Sequence, residues 1–198
     1  MKKSRKTFGE NIDPTAFLAY NRIMNIKLTW ILRTVLTALC AFMVGFILYN
    51  ALQTAEQSAE QSSTVVEVVQ QAVAVIAPQS PIATATGEAY DRLHSAVRTL
   101  AHFSEYALLG VLGGWCCLSY TLRRIFLAIP AVGITLLAVV DECLQSFTAG
   151  RGSQFVDILV DWLGGLFGLA FALFAVWLVV KIIKRGKHAT REFGNSFD

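Results

Sequence analysis

The sequence predicts an all-α integral membrane bundle of four transmembrane helices with both termini in the cytoplasm. Three observations lead to this fold class. Hydrophobic residues make up 55% of the 198 residues, they are gathered into long apolar runs, and basic residues cluster at the edges of those runs. No patch of Lys and Arg is interleaved with stacking aromatic residues, so a nucleic-acid partner is not expected. The expected partner is the lipid bilayer.

The apolar runs divide the chain into spans and connections. A basic segment, residues 1–27, precedes the first span, residues 28–52, which is interrupted only by Arg33, whose side chain can reach the interface. Further runs cover residues 106–122, 125–140 and 155–180. We therefore expect a domain with three transmembrane helices at residues 98–183 and a basic cytoplasmic tail at 184–198. Pro130 falls inside the third predicted span, where neighbouring groups can satisfy the backbone that a proline frees.

Residues 53–97 form a segment of different composition, rich in Gln, Ser, Ala and Thr. Its valines between positions 65 and 73, with Ile76, recur at a spacing loosely compatible with a short helix lying on the protein or at the membrane interface. Pro78 and Pro81 should end that helix.

Orientation follows from the distribution of basic residues around the spans. Most lie in the amino-terminal segment, in the turn formed by Arg123 and Arg124, and in the tail. The positive-inside rule then places both termini in the cytoplasm and residues 53–97 outside, in a multi-pass protein of the cell membrane. The ends of the spans that carry His102, Asp141 and Asp157 are expected on the outer side.

Three polar groups occur at these outer ends, each at helical spacing. His102, Glu105 and Tyr106 share one face of the second span. Asp141, Glu142 and Gln145 end the third span, while Asp157 and Asp161 begin the fourth, one turn apart. So many carboxylates in a partly dehydrated place need counterions, a metal or a shared proton. Arg98, His102 and Arg151 are the expected cationic partners.

Glycines follow the same faces. Gly110 and Gly114 form one GxxxG pair and Gly164 and Gly168 form another. Small residues at this spacing let membrane helices approach closely. The glycines are therefore expected to pack helices and to draw the polar groups toward one another.

The stretches RTLAHFSEYALLGVL, DECLQSF and GRGSQFVDILVDWLGGLFG resemble the VanZ-like family, whose pattern has an RK..HF.EY..LG, a DE..Q.F and a GR....D....N..G...G segment. The matching positions are Arg98, His102, Phe103, Glu105, Tyr106, Gly110, Asp141, Glu142, Gln145, Gly150, Arg151, Asp157, Gly164 and Gly168. Thr99 stands where the family usually has Lys, and Asp161 where it usually has Asn. The motifs cover roughly residues 98–168 and leave the amino-terminal third uncovered.

The resemblance implies a cell-envelope membrane protein, in a family named for a member linked to low-level teicoplanin resistance. Candidate partners are a lipid-linked cell-wall precursor or a glycopeptide-related ligand. We expect the outer polar groups to bind or modify such a molecule. Arg98 and Arg151 suit a phosphate or carboxylate, and the predicted binding set also includes Tyr106, Gln145, Asp157 and Asp161.

In an enzymatic version of this hypothesis, His102 is a general acid or base oriented by Glu105, and Asp141 and Glu142 position the substrate or a metal. A donor set of His102, Glu105, Asp141, Glu142 and Asp157 suits zinc or manganese, but no closed spacing motif requires a metal, and the cofactor is left open.

Two alternatives to an enzymatic function also stay open at this point. One is a non-catalytic scaffold whose polar groups are structural, and the other is ion-coupled transport, which four spans without an inverted repeat support poorly.

Overall fold

The computed structural model describes residues 26–121, 124–151 and 155–194, and these residues form helices and connections without a strand. The helices are α1 (Ile26–Ala51), α2 (Ala55–Ile76), α3 (Glu88–Tyr120), a short 3₁₀ helix (Arg124–Leu127), α4 (Ala128–Ser146) and α5 (Phe155–Gly194). The prediction of an all-α chain is confirmed. The basic segment up to residue 25, Arg123 of the predicted turn and the last four residues of the tail lie outside the described residues.

Three segments within the described residues are long and apolar enough to cross a membrane: Leu28–Ala51, Ile125–Ser146 and Phe155–Ile183. They correspond to the first, third and fourth predicted spans. The apolar part of α3, residues 106–120, is shorter than the roughly 20 residues that a hydrocarbon core requires. The span predicted at 106–122 and the cytoplasmic placement of the termini therefore stay predictions.

Helix α2 confirms that the segment after the first span contains a helix. Thr54 caps its start, because the Thr54 hydroxyl accepts a hydrogen bond from the Gln57 amide and the Gln57 side chain accepts one from the Thr54 amide. The helix ends at Ile76, ahead of Pro78. Its position relative to the membrane interface stays a prediction.

Two helix starts differ from expectation. Helix α3 begins at Glu88, far ahead of its apolar run, and the acidic side chains of Glu88 and Asp91 in its first turn favour a helix start there. Helix α4 begins at Ala128, so Pro130 lies in its first turn and not in the helix interior. An amide at position 130 would have no hydrogen-bond partner inside the helix, because the first-turn amides of an α-helix have none. The proline therefore frees no backbone group that a neighbour must bind.

Helix α3 is the centre of the bundle and runs antiparallel to α1. Near one end, the Arg33 guanidinium donates to the Ser119 carbonyl oxygen at 2.7 and 3.0 Å and lies over the Tyr120 ring. Near the other end, Asn50 on α1 meets Glu105 on α3. Arg33 therefore binds the last turn of α3, and its position relative to the membrane interface stays a prediction.

Glycines bring α3 and α5 together in parallel, as the sequence predicts. A Cβ atom on Gly164 would collide with the Phe103 carbonyl oxygen, and one on Gly168 would collide with the carbonyl oxygen of Ala107. The two backbones are thus in direct contact, which only a missing side chain allows. This contact fixes the neighbours of His102, which precedes Phe103 on α3.

A small apolar core fills the space between α1, α3, α4 and α5. Its buried members are Met43, Ile47, Tyr106, Leu109, Ile134, Ala138 and Leu169. Many other large apolar side chains of the described helices are exposed, including Phe42, Leu136 and Phe171. Apolar surface of this extent on long helices fits a lipid environment.

Candidate functional site

Polar side chains from all four core helices meet at one end of the bundle, where α1 and α4 finish and α5 begins. We call this set the polar cluster; it consists of Asn50, Arg98, His102, Glu105, Tyr106, Asp141, Glu142, Gln145, Arg151, Asp157 and Asp161. Asp141, Glu142, Gln145 and Asp161 are buried. Since buried charged groups are costly unless they are paired, this end of the bundle is the natural candidate for a site.

The centre of the polar cluster is formed by an imidazole and two carboxylates. His102 Nδ1 lies 3.5 Å from Asp161 Oδ1, a distance that permits an ion pair, and neither atom makes a hydrogen bond. One donor atom from each of His102, Asp141 and Asp161 lies within 4.8 Å of the other two. The carboxylate that faces the histidine is therefore that of Asp161, whereas the sequence predicted Glu105 as the orienting group.

Asp141 is held by hydrogen bonds to both of its oxygens. The Tyr106 hydroxyl donates to Oδ2 at 3.2 Å, and the Gln145 side-chain amide donates to Oδ1 at 3.2 Å. Tyr106 is fully buried and Gln145 almost so. These donors orient Asp141 and stabilise its charged form. Side chains that bind a metal ion are commonly held by hydrogen bonds of this kind.

Glu105 is paired with a residue that sequence reasoning missed. Asn50, at the end of α1, donates through Nδ2 to Glu105 Oε1 at 2.9 Å. Asn50 is a polar residue at the border of the first apolar run, which is a weak signal by itself. Its role becomes visible only once α1 is known to run antiparallel to α3.

Arg151 reaches the polar cluster from the connection between α4 and α5. Gly150 before it has φ +76°, a conformation that favours glycine. Arg151 Nη1 donates to the Asn50 carbonyl oxygen at 3.2 Å, whereas its buried Nε has no hydrogen-bond partner among the described residues. Burial and the charge of Arg98 lower the pKa of Arg151, while the nearby carboxylates of the cluster act in the opposite direction.

The remaining predicted residues lie at the margin of this arrangement. Arg98 and Asp157 are half-buried and act on Arg151 through their charges, and the buried Glu142 does the same. The donor set that the sequence suggested for a metal also changes. Within the described residues, the group with metal-site geometry is His102, Asp141 and Asp161.

A model of the VanZ/LLP1 family matches residues 36–178, well over half of the chain. The chain belongs to the VanZ/LLP1 family. The match begins inside α1, so the family relationship extends beyond the three motifs and includes residues 36–97, which the motifs left uncovered. No curated protein and no solved structure matches the chain.

In this VanZ/LLP1 protein the two departures from the family pattern have different surroundings. Thr99 is exposed on α3. Asp161, where the pattern usually has Asn, is 1% exposed and faces His102 in the centre of the polar cluster. The departure therefore places an additional carboxyl group in the buried centre of the cluster.

Proposed function

We propose that this VanZ/LLP1 protein is a cell-envelope membrane protein whose polar cluster binds the anionic group of a lipid-linked or cell-wall molecule, and that this binding contributes to glycopeptide (teicoplanin) resistance. The observation that carries the proposal is the state of Arg151. Its guanidinium is half-buried, uses Nη1 on a backbone carbonyl and leaves the buried Nε without a hydrogen-bond partner among the described residues.

The charge of a second arginine supports an anion as the ligand. Arg98 is close enough to act on Arg151 through its charge. The carboxylates of Asp141, Glu142 and Asp157 oppose the repulsion between the two guanidinium groups, and a bound anion would oppose it further. Guanidinium also binds phosphate and carboxylate by paired hydrogen bonds, which supplies orientation as well as charge.

The surroundings of Arg151 support a ligand attached to a lipid. Phe147 follows α4 and is 89% exposed, and Phe155 begins α5 and is 71% exposed. The connection that carries Arg151 is thus flanked along the chain by exposed apolar side chains. A molecule with an anionic head and an apolar tail could place its head at Arg151 and its tail along α5, in the bilayer.

Modification of the ligand is the enzymatic form of the same proposal. His102 is 15% exposed through its side chain and is paired with a buried carboxylate, which is the arrangement that a general acid or base requires. A noncatalytic scaffold is the second candidate. It is favoured by the hydrogen bonds that join helices within the cluster, from Tyr106 to Asp141 and from Asn50 to Glu105.

Complementation of a deletion strain tests the proposal. The strain receives wild-type protein or Arg151→Ala, and glycopeptide susceptibility, lipid-linked precursor pools and membrane abundance are measured. Arg92→Ala is the matched control, because Arg92 is exposed on α3 and, among the described residues, forms its ion pair with Glu88 of the same helix. Loss of function at normal abundance in Arg151→Ala, with Arg92→Ala unaffected, is the expected result. Full function of Arg151→Ala would contradict the proposal.

A further inference from the structure

We propose that His102, Asp141 and Asp161 form a binding site for a divalent transition-metal ion of the zinc class. This site is a separate claim from anion binding at Arg151, because it depends on different side chains. One ligand comes from each of three helices, α3, α4 and α5, at the end where they meet. The ion would thus tie together the three helices that carry the family motifs.

The geometry of the donor atoms supports a small ion. Zinc binds imidazole nitrogen and carboxylate oxygen at about 2.0–2.2 Å in a tetrahedral arrangement, which places two ligand atoms roughly 3.4 Å apart. His102 Nδ1 and Asp161 Oδ1 are 3.5 Å apart. The third residue, Asp141, offers a donor atom within 4.8 Å of a donor atom of each of the other two residues.

The hydrogen-bonding state of the pair is the second, independent observation. Asp161 is 1% exposed, and its Oδ1 points at His102 without accepting a hydrogen bond. His102 Nδ1 is likewise buried and makes no hydrogen bond. The two atoms are 3.5 Å apart, close enough for an ion pair, but no hydrogen bond joins them, so the cost of burying them is only partly offset. A cation between them would satisfy both.

The charge of the surroundings favours the same conclusion. Asp141 and Asp161 are both buried, and two adjacent carboxylates cannot both stay ionised without compensation. A divalent ion supplies that compensation. Tyr106 and Gln145, which donate to Asp141, would then hold a metal ligand in place, as surrounding donors commonly do.

Donor type selects the class of metal. One imidazole and two carboxylates form a mixed nitrogen and oxygen set, which suits zinc or manganese better than calcium or magnesium, whose sites are built from oxygen. Three protein ligands leave a tetrahedral ion with one open position. Such a site differs from a closed structural zinc site, in which all four positions are taken by the protein.

Metal binding to the purified full-length protein tests this inference. The chain is extracted in mild detergent, stripped with a chelator, and titrated with Zn²⁺ alone, with metal content measured after removal of excess ion. We expect one ion per chain for the wild type and at least a 100-fold weaker affinity for Asp161→Asn, which keeps the shape but removes a charged ligand. Glu88→Gln is the matched control and should bind normally, because Glu88 is exposed at the start of α3 and pairs with Arg92 of the same helix, away from the three donors.

Thermal denaturation of the same preparations covers the case in which a variant retains little folded protein. Binding to the folded state alone raises the transition temperature of the wild type with increasing Zn²⁺. The inference predicts such a shift for the wild type and Glu88→Gln and none for Asp161→Asn. A wild-type protein that takes up no stoichiometric metal, or an Asp161→Asn variant that binds as tightly as the wild type, would overturn it.

Discussion

His102 on α3 and Asp161 on α5 face each other next to the glycine contact between these helices, with Nδ1 and Oδ1 3.5 Å apart. The pairing follows from packing, because Gly164 admits the Phe103 carbonyl oxygen to the surface of α5 one turn after Asp161. The glycines of the VanZ/LLP1 motifs and the charged residues of the same motifs therefore belong to one arrangement. The glycines position the helices, and the charged residues form the polar cluster.

The glycine contact gives the first prediction. Gly168→Ala should destabilise the folded protein by about 1–3 kcal/mol, because the new methyl group meets the Ala107 carbonyl oxygen and the Val111 amide nitrogen. Gly45→Ala on α1 is the matched control, since nothing lies within 4 Å of the added atom. That change should be neutral or stabilising by about 0.5–1 kcal/mol. Equilibrium unfolding in detergent measures the free energy of unfolding of both variants. Equal changes in the two would show that the backbones of α3 and α5 are not in direct contact at Gly168.

The hydrogen bond between α1 and α3 gives the second prediction. Asn50→Ala removes the donor to Glu105 and should cost about 1–3 kcal/mol of unfolding free energy. Thr64→Ala is a suitable control, because Thr64 is exposed and its hydroxyl donates to the Glu60 carbonyl oxygen of the same helix. An Asn50→Ala protein as stable as the Thr64→Ala protein would mean that Asn50 does not hold the two helices together.

Membrane topology gives the third prediction. In a background without the four native cysteines, a cysteine at the exposed position Gln61 on α2 should react with a membrane-impermeant thiol reagent in intact cells. A cysteine at Arg185, near the carboxyl end of α5, should react only after permeabilisation. Labelling of position 185 in intact cells would reverse the orientation and place the polar cluster on the cytoplasmic side.

His102 separates an enzyme from a scaffold in the fourth prediction. His102→Gln keeps a polar side chain of similar size but cannot exchange protons near neutral pH. An enzymatic site should lose function in the deletion strain while the protein accumulates normally. Retained function at normal abundance would favour the scaffold. The Arg151 variants would then test whether the protein binds a ligand without modifying it.

Most helices of the fold could be predicted from the sequence, because apolar runs in a membrane protein are long and uninterrupted. The start of α3 at Glu88 could not, since its first turns carry a mixed polar face that resembles a surface segment. Pro130 was misplaced for a related reason. The apolar run begins at Ile125, whereas the α-helix begins at Ala128 after a 3₁₀ turn, and hydropathy does not distinguish the two.

The residues of the polar cluster could be predicted, but their pairing could not. Helical spacing shows that His102 and Glu105 share a face of α3, yet it does not give the rotation of α5 against that face. The rotation is set by the contact of Gly164 with Phe103, and it places Asp161 opposite His102. Asn50 was missed because its partner lies on a helix distant in sequence.

The most direct test of the central claim is ligand binding by purified protein in nanodiscs that contain a lipid-linked cell-wall precursor. Arg151→Lys is the decisive variant, because an ammonium keeps the charge but cannot reproduce the paired hydrogen bonds of a guanidinium. Arg92→Lys, at the exposed Arg92–Glu88 pair, serves as the control. The account predicts saturable binding by the wild type and by Arg92→Lys, and at least a 10-fold loss of affinity in Arg151→Lys. Unchanged affinity in Arg151→Lys, or no binding by the wild type, would contradict it.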